Sequence, residues 1–164
     1  MTMTSASAAA SAAAPLPLGP NPEPAGAIFT AAGLLLPHLE RGERVDAAAL
    51  RVAMETAFGA SDATGAWDWK TAYDACEAAT VLFLRKYGRA LFRKAGSPAA
   101  RLSALSKIAN LLPTHTRRSA ESQTFQQFST PIPLGLVAAH AAAITPADRV
   151  LEPSAGTGLL AILA

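Results

Sequence analysis

A short run of small residues near the end of the chain has the composition of a ligand-binding loop. It reads Pro153-Ser154-Ala155-Gly156-Thr157-Gly158 and follows Glu152. Glycine admits a ligand close to the backbone and adopts positive φ angles, so Gly156 and Gly158 predict a tight turn. Amides at the start of a following helix favour a carboxylate or a phosphate. The Glu152 carboxylate could accept hydrogen bonds from a cationic amine.

Two elements must position this loop. Residues 149–152 are a candidate strand and residues 159–164 begin an apolar helix, which together with the loop predict the first half of a βαβ unit. Positions 156–161 also fit the dinucleotide fingerprint with alanine in its third place. A P-loop is excluded because no Lys-Ser or Lys-Thr pair follows Gly158. The loop by itself therefore leaves more than one class of cofactor open.

The rest of the chain predicts a mainly helical protein. Residues 1–25 form an Ala- and Pro-rich tail with a single charge, which should be disordered. Residues 26–113 predict an all-helical module and residues 114–129 a polar linker. Residues 130–164 predict the truncated start of an α/β Rossmann-like domain, in which Thr130 should cap a helix with Pro131 in its first turn.

Helix boundaries within the module follow from caps and breakers. The first helix has its apolar positions between Ile28 and Leu39 and should kink or end at Pro37. The second begins after its cap Asp46 and ends at Gly59. The remaining predicted boundaries are Ala66 to Gly88 for a third helix, a short helical piece from there to Gly96, and a last helix capped by Ser97 and closed by Pro113.

Composition excludes several classes of protein. The chain is 51% hydrophobic but only 6% aromatic, and alanine, which favours helices, supplies much of the difference. The single cysteine, Cys76, excludes an internal disulfide framework and fits a reducing compartment. No apolar run reaches the length of about 18 residues that predicts a membrane span, and the three histidines lack metal-ligand spacing. We therefore expect a cytoplasmic protein with no metal site.

Charge is distributed unevenly along the chain. Residues 1–77 hold nine acidic and four basic side chains, whereas residues 78–120 hold nine basic side chains and no acidic one. Such a block suits contact with a nucleic-acid backbone, although a solvated helix face is the commoner explanation. Its members are Arg85, Lys86, Arg89, Arg93, Lys94, Arg101, Lys107, Arg117 and Arg118.

Two segments together resemble a known enzyme family. Residues 150–158, Val-Leu-Glu-Pro-Ser-Ala-Gly-Thr-Gly, closely resemble the first motif of class I S-adenosylmethionine-dependent methyltransferases, in the form typical of enzymes that methylate the adenine amino group of DNA. Residues 126–131, Gln-Gln-Phe-Ser-Thr-Pro, resemble the segment that precedes this motif in those enzymes. The resemblance implies S-adenosylmethionine as cofactor. The residues it would place around the cofactor are Phe128, Ser129, Thr130, Glu152, Pro153, Ser154, Ala155, Gly156, Thr157 and Gly158.

A wider likeness covers nearly the whole chain after the tail. The helical module with residues 65–70, the stretch Leu-Pro-Thr-His-Thr-Arg-Arg at 112–118 and the two motifs are similar to the N-terminus of large bacterial strawberry notch-like proteins. In that family a methyltransferase-like domain precedes a helicase-type ATPase. The resemblance implies DNA as substrate or track, which favours the nucleic-acid interpretation of the basic block.

Catalytic residues of the implied enzyme are missing. Adenine-amino methyltransferases use an Asn/Asp-Pro-Pro-aromatic tetrapeptide, and the chain contains none; residues 21–24 are superficially similar but lack the aromatic. We therefore name no catalytic residue and expect the reading frame to continue beyond Ala164. Two alternatives stay open: a fragment of an oxidoreductase that binds NAD or FAD, and a non-enzymatic nucleic-acid-binding or scaffold module.

Overall fold

The computed structural model describes residues 23–113 and 129–164. Short 3₁₀ turns lie at Asp62–Thr64 and Ala161–Leu163. The predicted tail and linker lie almost wholly outside the described residues. The α-helices of the described residues are α1 (Pro24–Arg41), α2 (Ala47–Phe58), α3 (Trp69–Ala95), α4 (Pro98–Ala109) and α5 (Ile132–Ala141).

Side-chain caps fix the starts of three helices. Asp46 accepts a hydrogen bond from the Ala49 amide at 2.8 Å at the start of α2. Ser97 accepts one from the Ala100 amide at 3.2 Å at the start of α4. Both caps confirm the prediction, because an N-cap oxygen satisfies an amide that has no partner within the helix. Asp68 caps α3 in the same way, so that helix starts later than predicted.

Helix α1 does not end at Pro37, and helix α3 does not end at Gly88. Helix α1 continues through Pro37 to Arg41 and ends at Gly42, which has a left-handed φ of 67°. Helix α3 continues through Gly88 and has 27 residues. A glycine inside a helix costs about 1 kcal/mol relative to alanine, but Gly88 is buried and packs beside Leu84. Helix α3 packs in one apolar cluster through Leu84 before the glycine and through Leu91 and Phe92 after it, and this packing outweighs the weak helix propensity of Gly88.

The apolar side chains form two clusters that meet along α3. The first lies between α1, α2 and α3 and contains the fully buried Leu35, Leu50 and Met54. The second joins α3, α4 and α5 to the segment after the glycine loop. Its buried members are Leu84, Leu105, Ile108, Ile132 and Leu159. Helices α3 and α4 therefore connect the helical module to the C-terminal segment, residues 129–164.

The C-terminal segment differs from the prediction in two respects. Residues 149–152 carry no regular structure, and the described parts of the chain contain no strand. A strand needs a neighbour to satisfy its backbone groups, and residues 23–113 and 129–164 supply none. Leu151 is 87% exposed. Thr130 does not cap α5, because Pro131 occupies the cap position without a side-chain hydrogen bond. The prediction of a mainly helical module is confirmed.

Candidate functional site

The loop at 153–158 forms two tight turns. Its glycines have positive φ angles, 51° at Gly156 and 83° at Gly158. The Gly158 amide donates to the Ala155 carbonyl at 2.7 Å, and the Ile162 amide donates to the Gly158 carbonyl at 3.0 Å. The loop therefore leads directly into a helical turn. Positive φ favours glycine over other residues, so the predicted conformational role of both glycines is confirmed.

Open space lies over both glycines. Among the described residues, a β-carbon on Gly158 would meet no heavy atom within 4 Å, and one on Gly156 would meet only the Ser154 carbonyl oxygen, at 3.9 Å. Packing inside the protein therefore does not require glycine at either position. The backbone of the loop is accessible, as the approach of a ligand requires.

Glu152 stabilises the loop and leaves acceptor capacity unused. Its Oε1 accepts a hydrogen bond from the Ser154 amide at 3.0 Å. A carboxylate has two oxygens and about four acceptor positions, so a bound amine could still donate to it. The side chain is half-buried and lies at the surface of the loop. The hydrogen bond from Ser154 fixes the orientation of one of its two oxygens.

Thr157 connects the loop to the middle of α3. Its hydroxyl donates a 2.8 Å hydrogen bond to Oε2 of Glu77, 80 positions earlier in the sequence. Glu77 is 7% exposed. It is not among the site residues predicted from the sequence. The sequence signal that could have identified Glu77 is a single carboxylate in the stretch 75–80, where every other residue is uncharged. In the structure those other residues are buried.

The upstream motif is only partly within the described residues. Phe128 lies outside them, while Ser129 and Thr130 are exposed immediately before α5. Helix α5 packs against the turn that follows the glycine loop, where Gly135 faces Leu160 and Leu163. The structure therefore joins the helix that begins after Thr130 to the segment that follows Gly158.

The nine basic residues separate into different environments. Arg85, Arg89 and Arg93 are exposed on α3, and none forms an ion pair with an acidic side chain of the described residues. Their spacing of four residues places them along one side of the helix over about 12 Å. We call these three residues the arginine stripe. Lys94 and Lys107 are also exposed, whereas Arg117 and Arg118 lie outside the described residues.

Two of the predicted basic residues are already engaged. The Lys86 ammonium lies 2.7 Å from Glu40 Oε1, a contact that joins α3 to α1. This hydrogen bond with Glu40 raises the pKa of Lys86 to about 12. The Arg101 guanidinium lies over the Phe92 ring, 5.7 Å from its centroid. Both residues therefore serve contacts within the protein.

Other chemically interesting side chains are structural. Trp67 is buried, and its indole nitrogen donates to the Ala60 carbonyl at 3.0 Å. Burial is the main cause that raises the pKa of the Cys76 thiol to about 12. The described ranges contain no group of His, Cys, Asp or Glu side chains that could hold a metal ion. None of their helices is long and apolar enough to cross a membrane.

Comparison with known proteins found no match to this chain among family models, curated proteins or solved structures.

Proposed function

We propose that this chain provides the S-adenosylmethionine-binding start of a class I methyltransferase whose substrate is DNA. The observation that carries the proposal is the pair of positive-φ glycines, Gly156 and Gly158, with open space above them and Glu152 just before them. Positive-φ glycines with an accessible backbone support the proposal, because they allow a ligand to approach the loop closely.

The resemblance would place the methionine end of the cofactor against groups that the described residues supply. Gly156 and Gly158 leave room for it against the backbone, and Glu152 retains acceptor positions for its cationic amino group. Ser129 and Thr130 are exposed, and by the resemblance they would contact the methionine moiety from the other side. When bound, S-adenosylmethionine supplies an activated methyl group. The residues of this chain bind and orient the cofactor, and none of them is assigned to the transfer itself.

The arginine stripe supports DNA as the substrate. Three guanidinium groups that form no ion pair with the described acidic side chains can displace counterions from a phosphate backbone. Such contacts supply much of the affinity of proteins for nucleic acids. The stripe lies on α3, the same helix that carries Glu77 and so contacts the glycine loop. A single helix would therefore connect the DNA-contacting surface with the cofactor loop.

A pair of matched glycine variants tests the cofactor assignment. Gly65 resembles Gly156 in having a positive φ, 76°, and open space around its missing β-carbon. Gly156→Val and Gly65→Val therefore introduce similar backbone strain, but only Gly156→Val places a side chain on the glycine loop at 153–158. Equilibrium dialysis with labelled S-adenosylmethionine should show weak binding to the unmodified chain and to Gly65→Val, and none to Gly156→Val. Equal binding to both variants would contradict the proposal.

A further inference from the structure

We infer that α3 is part of the glycine-loop site, and that Glu77 is a positioning residue that holds the loop in place through Thr157. The hydrogen bond from the Thr157 hydroxyl to the Glu77 carboxylate spans 80 positions of sequence at 2.8 Å. It joins a loop with two positive-φ glycines to the longest helix in the described ranges. The ordering of the loop stands on this geometry alone, and only its consequence for S-adenosylmethionine rests on the proposed function.

The burial of the Glu77 carboxylate carries a free-energy cost that its contacts must offset. It is the one charged side chain that is buried among the described residues. Removing a carboxylate from water costs several kcal/mol unless it is hydrogen-bonded or paired. Thr80, the other buried polar residue, donates to the Cys76 carbonyl of its own helix. Glu77 instead accepts a hydrogen bond from Thr157, so its carboxylate links α3 to the C-terminal segment.

The position of Thr157 makes this contact effective. Thr157 lies between the two positive-φ glycines, and glycine loses more conformational freedom on ordering than any other residue. A side-chain bond at Thr157 therefore restricts the backbone on both sides of it. The next anchor along the chain is Leu159, which is buried in the second apolar cluster. Together the two contacts hold the loop against α3 from Thr157 to Leu159.

Amide hydrogen exchange of the full 164-residue chain tests the inference. The Gly158 amide is the reporter, because it donates to Ala155 within the loop. Thr157→Val removes the hydroxyl at nearly constant volume, and should accelerate Gly158 exchange by about tenfold or more, as expected for a bond to a charged acceptor. Thr157→Ser keeps the hydroxyl and should leave the rate within about twofold of the unmodified chain.

A second threonine in the same segment provides the control. The Thr145 hydroxyl donates to the Asp148 carboxylate at 2.8 Å, the same length as the Thr157–Glu77 bond. Thr145→Val should therefore leave Gly158 exchange unchanged. An equal acceleration in the two valine variants would show general loosening of the segment and overturn the inference, as would an unchanged rate in Thr157→Val.

Glu77→Gln tests the acceptor of this hydrogen bond. The glutamine side chain keeps an oxygen that can accept the bond, but it lacks the negative charge. The substitution should accelerate Gly158 exchange less than Thr157→Val, and add little once Thr157 is valine; additive effects would contradict a shared contact. S-adenosylmethionine binding is measured separately. Faster exchange in Thr157→Val with no cofactor binding to the unmodified chain would support the positioning role and contradict the proposed function. An unchanged exchange rate in Thr157→Val together with cofactor binding to the unmodified chain would contradict the positioning role and support the proposed function.

Discussion

Gly135 on α5 lies against Leu160, close enough that a β-carbon at position 135 would stand 2.6 Å from the Leu160 Cδ2 atom. The same β-carbon would stand 3.1 Å from Leu163 Cδ1. The absence of a side chain at Gly135 therefore lets α5 approach the turn that follows the glycine loop. This contact holds α5 against residues 160–163 within the C-terminal segment.

Substitution at Gly135 should depend steeply on side-chain size. In Gly135→Ala the ends of the two leucines can rotate away and helix propensity improves, so we expect unfolding free energy to change by less than about 1 kcal/mol. Gly135→Leu overfills the space beside Leu160 and should destabilise the protein by about 1–3 kcal/mol. Urea denaturation measures both. Equal stability of the two variants would show that α5 does not pack closely against Leu160.

Cys76 should be unreactive in the native protein. Its pKa of about 12 leaves almost no thiolate at neutral pH, and the thiolate is the reactive form. A disulfide reagent should modify it only on unfolding. The control is Val52→Cys in a Cys76→Ala chain, because Val52 is 63% exposed, and this thiol should react at once. Rapid modification of native Cys76 would contradict its burial.

Cys76 also predicts an alkaline loss of stability. Its pKa is raised from the ordinary value of 9.0 to about 12. The folded protein therefore keeps the thiol proton at a pH where the unfolded chain has released it. Stability should fall as pH rises between these two values, because the unfolded state then binds fewer protons. Urea denaturation across that range should show a shallower fall for Cys76→Ala than for the unmodified chain, and identical slopes would contradict the prediction.

The arginine stripe should contribute to DNA binding in a salt-dependent way. Replacing Arg85, Arg89 and Arg93 by glutamine should reduce the slope of log affinity against log salt by about 0.9 for each phosphate that the variant no longer neutralises. Lys86→Gln removes a positive charge from the same helix, but that charge is already paired with Glu40. The salt slope of this variant should therefore stay near that of the unmodified chain. Fluorescence anisotropy with a duplex measures the slopes. An unchanged slope in the triple variant would favour a merely solvated helix face.

The sequence predicted local features better than non-local ones. The caps Asp46 and Ser97 and the positive φ of Gly156 and Gly158 depend on a few neighbouring residues, and the structure has all four. The break expected at Gly88 is absent because packing around α3, contributed by residues distant in sequence, overrides helix propensity.

Non-local contacts also explain which parts of the candidate site could not be predicted from the sequence. Glu77 reaches the loop only because α3 and the C-terminal segment pack together, and no spacing rule connects it to Thr157. The predicted strand at 149–152 depends on neighbouring strands, which the described residues do not provide. A local pattern can therefore identify a loop, but cannot show which distant element holds it.

The most direct test of the proposed function is a titration of the ¹⁵N-labelled chain with S-adenosylmethionine, followed by two-dimensional NMR. NAD serves as the comparison ligand, because positions 156–161 also fit the dinucleotide fingerprint. We expect S-adenosylmethionine to shift the amide signals of Thr130, Gly156 and Gly158 selectively, and NAD to leave them in place. Larger shifts with NAD, or no shift of the loop signals with S-adenosylmethionine, would contradict the assignment of this chain to S-adenosylmethionine binding.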